Sequence, residues 1–297
     1  MTTGLTRCGF AAIIGAPNAG KSTLVNKLVG SKVSIVSHKV QTTRARIRAI
    51  YMRGDAQVVL VDTPGIFKPR RMLDEAMVES AWAGAGEADA VVLIVDARRG
   101  LEDEVLKIID GFKANNTKAM LVLNKIDLIE AEKLLPLAEQ CAAVYAFTST
   151  FMVSAMTGSG VDKLGEKLAS QMPVGPWLYP EDQTADVHLR FIAAEITREK
   201  IYERLHDELP YSSTVETEAW EEKKDGSVKI TQAIFVERDS QKAIVLGKGG
   251  AQIKTLGQLA RTEMEESFDR KVHLFLFVKV RENWAVDPER LRMMGLR

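Results

Sequence analysis

The sequence predicts an α/β domain with a mostly parallel, doubly wound sheet, followed by a smaller α+β domain. Three observations carry this expectation. Continuous apolar runs alternate with helical patterns between residues 8 and 171. A proline-rich break at Met172-Pro173-Val174-Gly175-Pro176 ends the alternation. Beyond it the order becomes helix, strand, strand, helix, strand, and 297 residues suffice for two hydrophobic cores.

Residues 8–14 read as a buried strand entering a glycine-rich turn, and 21–29 as the helix after it. Strands at 47–53 and 56–62 join through Arg53-Gly54-Asp55, a hairpin signal. The runs 90–95 and 119–123 are apolar throughout, as expected of strands covered on both faces. Helical patterns at 74–86 and 101–114 lie between them. Two more helices, 132–146 and 161–171, flank a short strand at 151–153. The predicted domains are 1–172 and 187–297. The stretch 173–186, with Pro173, Pro176, Pro180 and the polar Glu181-Asp182-Gln183, reads as a linker. The second domain is predicted to hold a helix at 191–207 and strands at 211–221 and 227–238, turned at Asp225-Gly226. The apolar run Ala243-Ile244-Val245-Leu246 reads as a further strand. A helix follows to Phe268, with a last strand at 272–280.

Composition describes a soluble globular protein, with 46% apolar residues and zero net charge. Residues 181–297 hold 19 Lys and Arg against 22 Asp and Glu, leaving 21 and 18 for the rest. No basic blanket announces a nucleic-acid partner, so a local site must bind any RNA. Cys8 and Cys141 lack metal-ligand spacing and read as buried core residues, which fits a reducing cytosol. No signal-peptide pattern is present, and the run 90–95 is far short of the roughly 20 residues that span a bilayer.

Gly15-Ala16-Pro17-Asn18-Ala19-Gly20-Lys21-Ser22 matches the P-loop pattern between a strand and a helix. Its backbone N–H groups can cradle phosphates, helped by the positive end of the following helix. Lys21 is placed to reach the β- and γ-phosphates, and Ser22 offers a hydroxyl to Mg²⁺. The nucleotide stretch is taken to extend through Thr23. Asp62-Thr63-Pro64-Gly65 ends a strand about 40 residues on: Asp62 can hold Mg²⁺ and the Gly65 N–H can meet a third phosphate. The polar stretch Ser37-His38-Lys39-Val40-Gln41-Thr42-Thr43-Arg44 sits where a switch loop belongs. Thr43 is the first candidate for a second Mg²⁺ hydroxyl and Thr42 the runner-up.

Asn124-Lys125-Ile126-Asp127 follows the strand 119–123. Asp127 can accept two hydrogen bonds from guanine, and adenine lacks that donor pair. Asn124 can tie this loop to the phosphate loop, and the Lys125 stem can lie on the base. Ser154, Ala155 and Met156 can offer N–H groups to the guanine oxygen. In this order the motifs resemble those of translation-factor-like GTPases, over residues 8–171.

Many small GTPases place a water-orienting glutamine just after Asp-x-x-Gly; here Ile66 and then Phe67 follow, and unaided turnover is expected to be slow. The loop Gly-x-Pro-Asn-x-Gly-Lys-Ser resembles that of potassium-activated GTPases. Asn18 is therefore either a K⁺ ligand beside the phosphates, replacing an arginine finger, or a simple turn residue. The catalytic candidates are Lys21, Thr43, Gly65 and Asn18.

Gly247-Lys248-Gly249-Gly250 resembles the G-x-x-G loop of a KH (type II) fold, which clamps about four nucleotides. Gly247, Lys248, Gly249, Gly250 and Lys254 are the RNA-binding candidates. With Gln41-Thr42-Thr43-Arg44, Glu208-Leu209-Pro210-Tyr211-Ser212 and the tail Met294-Gly295-Leu296, nearly the whole chain resembles the bacterial Era GTPases. That resemblance implies a monomeric cytoplasmic switch. Its KH domain would bind the 3′ end of small-subunit ribosomal RNA and assist maturation of the small subunit. It also implies peripheral contact with the inner membrane in some members. Two other readings compete: an RNA chaperone whose nucleotide only stabilises the fold, and a tRNA-modifying GTPase. The second is disfavoured because the chain has a G-x-x-G domain and no cysteine-rich extension.

Overall fold

The computed structural model describes residues 5–37, 39, 42–69, 71–287 and 296. His38, Val40, Gln41, Met294 and Gly295, all singled out above, lie outside them. The chain forms two compact units. One takes the chain up to Ser34 together with Thr43–Asp186. The other takes Ile35–Thr42 and Val187–Met293, and Leu296 falls with the first.

The first unit contains β1 (Arg7–Gly15), α1 (Lys21–Val29), β2 (Ile47–Arg53), β3 (Ala56–Asp62), α2 (Met72–Gly86) and β4 (Ala90–Asp96). It continues with α3 (Asp103–Ala114), β5 (Ala119–Asn124), α4 (Leu134–Val144), β6 (Thr150–Val153) and α5 (Val161–Gln171). Its six strands lie in the order β2-β3-β1-β4-β5-β6. Every pairing is parallel except the β2–β3 hairpin.

The apolar strands are continuous because both faces are covered. Ala11, Ile13, Val92 and Ile94 pack with Leu24, Val25, Leu164 and Leu168 of α1 and α5. Their neighbours Ala12, Ile14, Leu93 and Val95 pack on the other face with Ile108, Phe112, Leu137 and Cys141 of α3 and α4. Alternate residues thus feed two cores, which is the burial that a parallel sheet requires. Register brings Gly15 beside Ile94, Ile13 beside Asp62, and Asp96 beside Asn124. The carboxyl ends of four strands therefore meet at one edge, where such sheets bind ligands.

The stretch 173–186 is strapped to this unit. Val174 bridges Arg7 and Ala185 bridges Ala49. Gln57, fully buried on β3, accepts the N–H groups of Leu178 and Tyr179 at 2.9 and 3.0 Å. Its own amide donates to Tyr179 O at 2.8 Å. A buried amide needs such partners, and here the passing backbone supplies them.

The second unit contains α6 (Leu189–Arg204), β7 (Ser213–Glu222), β8 (Val228–Val236), α7 (Asp239–Leu246), α8 (Ala251–Phe268) and β9 (Val272–Val280). β8 lies centrally, antiparallel to β7 and parallel to β9. Residues 243–246, predicted as a strand, belong to helix α7. Gln241 Oε1 accepts the N–H groups of Glu237 and Arg238 and starts that helix. Val245 is fully buried while Ile244 is 57% exposed, so the run does not feed a sheet core. Four apolar residues carry too little periodicity to separate helix from strand. Val36 and Thr42 are tied to α6: Glu199 accepts the Val36 N–H at 2.7 Å, and Arg198 donates to Thr42 O.

Candidate functional site

β1 delivers the chain to Gly15, where a Cβ would stand 2.5 Å from the Ile94 carbonyl oxygen. Gly20 has φ 98°, and a Cβ there would lie 2.3 Å from Asn124 Nδ2. The loop between them closes on itself, Ala19 N–H donating to Ala16 O, and α1 starts at Lys21. Lys21 is buried, and its ammonium donates to Gly15 O at 3.1 Å and Ala16 O at 2.9 Å. Burial, partly offset by Asp62 and reinforced by Lys125, pulls its pKa down to about 8. A phosphate would supply the anion that this lysine lacks.

Ser22, Thr43 and Asp62 converge. Ser22 Oγ lies 2.8 Å from Thr43 Oγ1 and donates to Asp62 Oδ2 at 2.7 Å. Ser34, which the sequence reading missed, donates to the same oxygen at 2.6 Å. Asp62 Oδ1 is buried and accepts no hydrogen bond. Burial raises the Asp62 pKa against the opposing pull of Ser34, Ser22 and Lys21. A buried, unsatisfied carboxylate oxygen beside two hydroxyls is a donor set that suits Mg²⁺. Thr42 turns away: its hydroxyl donates to Lys39 O at 2.8 Å and pairs with Ser37 Oγ at 2.9 Å.

The turn after β3 presses against the phosphate loop. Thr63 Oγ1 donates to Ile13 O at 2.8 Å, and Ile66 N–H donates to Gly15 O at 3.2 Å. A Cβ on Gly65 would stand 3.0 Å from the Pro17 backbone, so any side chain there would have to push that backbone aside. Pro64 is buried beside it. The Ile66 side chain is buried in the apolar layer with Ala12, Ile14 and Ala81 and carries no group that could orient water.

Asn124 is the hub of the base side. Its Nδ2 donates to Ala19 O at 2.9 Å and its Oδ1 accepts the Ala155 N–H at 3.0 Å. One side chain thereby ties three loops. Ala155 N–H is committed to Asn124, and Ser154 N–H donates to Ser159 O at 2.9 Å. Of the three N–H groups assigned to the guanine oxygen, that of Met156, a 74% exposed residue, remains. Asp127 is exposed on a short 3-10 turn, Ile126–Leu128. Lys125 donates to Asn18 O at 2.6 Å and to Asp96 at 2.7 Å. Asp96 and its partner Arg98 were not singled out from sequence. The signal was an acid closing the apolar run 90–95, the same signature by which Asp62 was found. Asn18 has φ 61° within the loop and is joined to it by the Lys125 contact.

In the second unit, Gly247 sits at φ 71° and ψ 173°, and a Cβ there would stand 2.6 Å from Gln252 Cβ. Gly249 and Gly250 also have positive φ, but nothing lies within 4 Å of their Cβ positions. Lys248 and Lys254 are exposed. The loop is an open backbone shelf between α7 and α8.

Comparison with known proteins agrees with both units. A family model described as a 50S ribosome-binding GTPase matches residues 10–125, and a KH-domain model matches residues 208–285. GTPase Era of Afipia carboxidovorans is 63% identical over 98% of this chain and 94% of its own length. GTPase Era of Rhizobium meliloti is 60% identical over 98% of this chain and 93% of its own length. A crystal structure of an Aquifex aeolicus Era variant bound to GDP·AlF4⁻ superimposes with a TM-score of 0.92 at 36% identity, covering 98% of this chain and 99% of that one. A structure of Era with MgGDPNP and nucleotides 1506–1542 of 16S ribosomal RNA also gives a TM-score of 0.92. It is 37% identical, with the same coverage. On this identity over nearly its full length, the chain belongs to the Era family of GTPases.

Proposed function

We propose that the chain is a GTP-hydrolysing switch. It converts GTP to GDP and phosphate and uses its second unit to hold the 3′ region of small-subunit ribosomal RNA while the small subunit matures. The observation that carries the nucleotide half is the hydrogen-bonded cluster of Ser22, Thr43 and Asp62 beside buried Lys21. The relatives solved with GDP·AlF4⁻ and with MgGDPNP plus 16S nucleotides support both halves.

In this reading Ser22, Thr43 and Asp62 hold Mg²⁺, which when bound neutralises charge on the phosphate oxygens. Lys21 and the N–H groups of Gly15 to Thr23 bind the phosphates. Gly65 positions the turn that meets the third phosphate. Asp127 chooses guanine, on a floor made by Lys125, and the Met156 N–H meets the guanine oxygen. Asn18 coordinates K⁺, whose charge beside the phosphates replaces that of an arginine finger. GTP turnover in K⁺ and Na⁺ at equal ionic strength tests that role, and equal rates would remove it.

The RNA is clamped by Gly247 to Gly250, with Lys248 and Lys254 supplying charge. No helix among the described residues is long and apolar enough to cross a membrane. We take the protein as a cytoplasmic monomer whose membrane contact is peripheral. RNA affinity measured with a GTP analogue, with GDP and without nucleotide tests the switch. Affinities that differ between GTP analogue and GDP are expected. Identical affinities would leave an RNA-binding chaperone with a structural nucleotide.

A further inference from the structure

Asp96 closes β4 at the same edge where Asp62 closes β3, yet no role in phosphate handling or base recognition falls to it. Its carboxylate is buried and receives four N–H donors. Oδ1 accepts the backbone N–H and Nε–H of Arg98, both at 3.1 Å, and Oδ2 accepts Arg98 Nη2 and Lys125 Nζ, both at 2.7 Å. The guanidinium fork fixes the carboxylate plane, and that plane fixes where the Lys125 ammonium sits. Burial works against ionisation, but these donors hold the carboxyl down to about 2, so its charge is permanent at neutral pH.

Lys125 leaves the end of β5 at φ 65° and stretches back to the phosphate loop, where Nζ donates to Asn18 O at 2.6 Å. Its stem passes 3.9 Å from the Cβ position of Gly20. A lysine side chain has four rotatable bonds and samples many rotamers unless both ends are tied. Asp96 and Asn18 tie the far end here.

We propose that Asp96, oriented by Arg98, is a positioning residue for nucleotide binding. It holds the Lys125 stem as a fixed floor for the guanine base and locks that floor to the phosphate loop, so base and phosphates meet one frame. The inference rests on the GTP reading above. It says that part of the affinity for the nucleotide resides in a residue that never touches it.

The test is a double-mutant cycle on the full chain, with a fluorescent GDP analogue as probe. Asp96→Ala is expected to weaken GDP roughly tenfold or more, the scale of a lost charge-assisted hydrogen bond, mainly through faster release. Asp96→Asn keeps an acceptor for Lys125 without its charge and is expected to fall between wild type and Asp96→Ala. Because Asp96 acts through Lys125, adding Asp96→Ala to Lys125→Ala should cost nothing further. The ratio of GDP to IDP affinity should not move, since inosine differs only in the amine that Asp127 reads. Wild-type affinity in Asp96→Ala, fully additive losses in the double variant, or a changed GDP-to-IDP ratio would each overturn the proposal. If Asp96→Ala does not fold, the same cycle is run with Asp96→Asn. Failure of the wild-type chain to bind GDP would instead strike at the nucleotide reading itself.

Discussion

The chain carries two glycine-rich loops, one in each unit, and their surroundings are opposite. Around the phosphate loop a methyl group at Gly15, Gly20 or Gly65 would stand 2.5, 2.3 or 3.0 Å from the nearest neighbouring atom. Around Gly247–Gly250 only the first position is crowded, and Gly249 and Gly250 face open space. Glycine serves packing in the first loop and presentation in the second. A small ligand of fixed shape can be met by a frame built in advance, whose internal bonds are complete before it arrives. A polymer needs a backbone that it can approach from outside. Substitutions that add atoms should therefore act in different ways in the two loops.

The largest effect is expected from Gly20→Ala. The new methyl group meets the Asn124 amide at 2.3 Å, and the residue stays at φ 98°. Left-handed strain costs about 1–2 kcal/mol, and breaking the buried Asn124–Ala19 bond adds about 1–3 kcal/mol. Together these weaken GDP roughly hundredfold or more, measurable by titration calorimetry. An affinity within threefold of wild type would mean that the loop is not the rigid frame described.

A pH titration sharpens the same point. Burial lowers the folded-state Lys21 pKa from 10.5 to about 8. Between those values the unfolded chain holds a proton that the nucleotide-free fold has released, so fold stability should rise with pH across that window. Nucleotide binding has the opposite slope, because a phosphate draws the proton back onto Lys21. GDP affinity is expected to be flat below pH 8 and to fall by up to about tenfold per unit above it. A profile flat to pH 9.5 would show that the lysine stays charged without its ligand.

Gly249→Asp reverses the comparison. Nothing lies within 4 Å of the new Cβ, and φ 61° is a region that aspartate tolerates better than most residues. GDP affinity should stay close to wild type, and the melting temperature should drop only by the few degrees that left-handed strain costs. Affinity for an RNA of the 16S 3′-terminal sequence should fall roughly tenfold, as the acid repels phosphate. Loss of folding together with RNA binding would show that the open loop is also a packing element.

The two loops also differ in how much of them was legible in the sequence. The phosphate loop, Asp62 and Asn124-Lys125-Ile126-Asp127 announce themselves because strand ends and tight turns fix their spacing along the chain. Their supports do not. Ser34 reaches Asp62 from 28 positions away out of the loop after α1, and Asp96 reaches Lys125 from 29 through the β4–β5 register. The parallel sheet was legible from apolar runs filling two faces. Helix α7 was misread because four apolar residues fit either period. The strapping of 173–186 by Gln57 was invisible because one buried glutamine carries no pattern. The ties of Val36 and Thr42 to α6 depend on Glu199 and Arg198, more than 150 positions away, and no local rule predicts them.

The smallest expected effects are those of the exposed lysines beside the open loop. Lys248→Ala and Lys254→Ala each remove a solvated charge, with no packing at stake, since both side chains are exposed. Each should weaken RNA only a few-fold at physiological salt. Each should also lower the slope of log affinity against log salt by somewhat under one unit, the signature of one phosphate contact in a single strand. The double variant should lose both increments additively, because charges that act on separate phosphates share no partner. If either substitution leaves the salt slope unchanged, that lysine does not face a phosphate. If either shifts it by several units, the strand has changed its path over the shelf, and the loop guides the RNA as well as holding it.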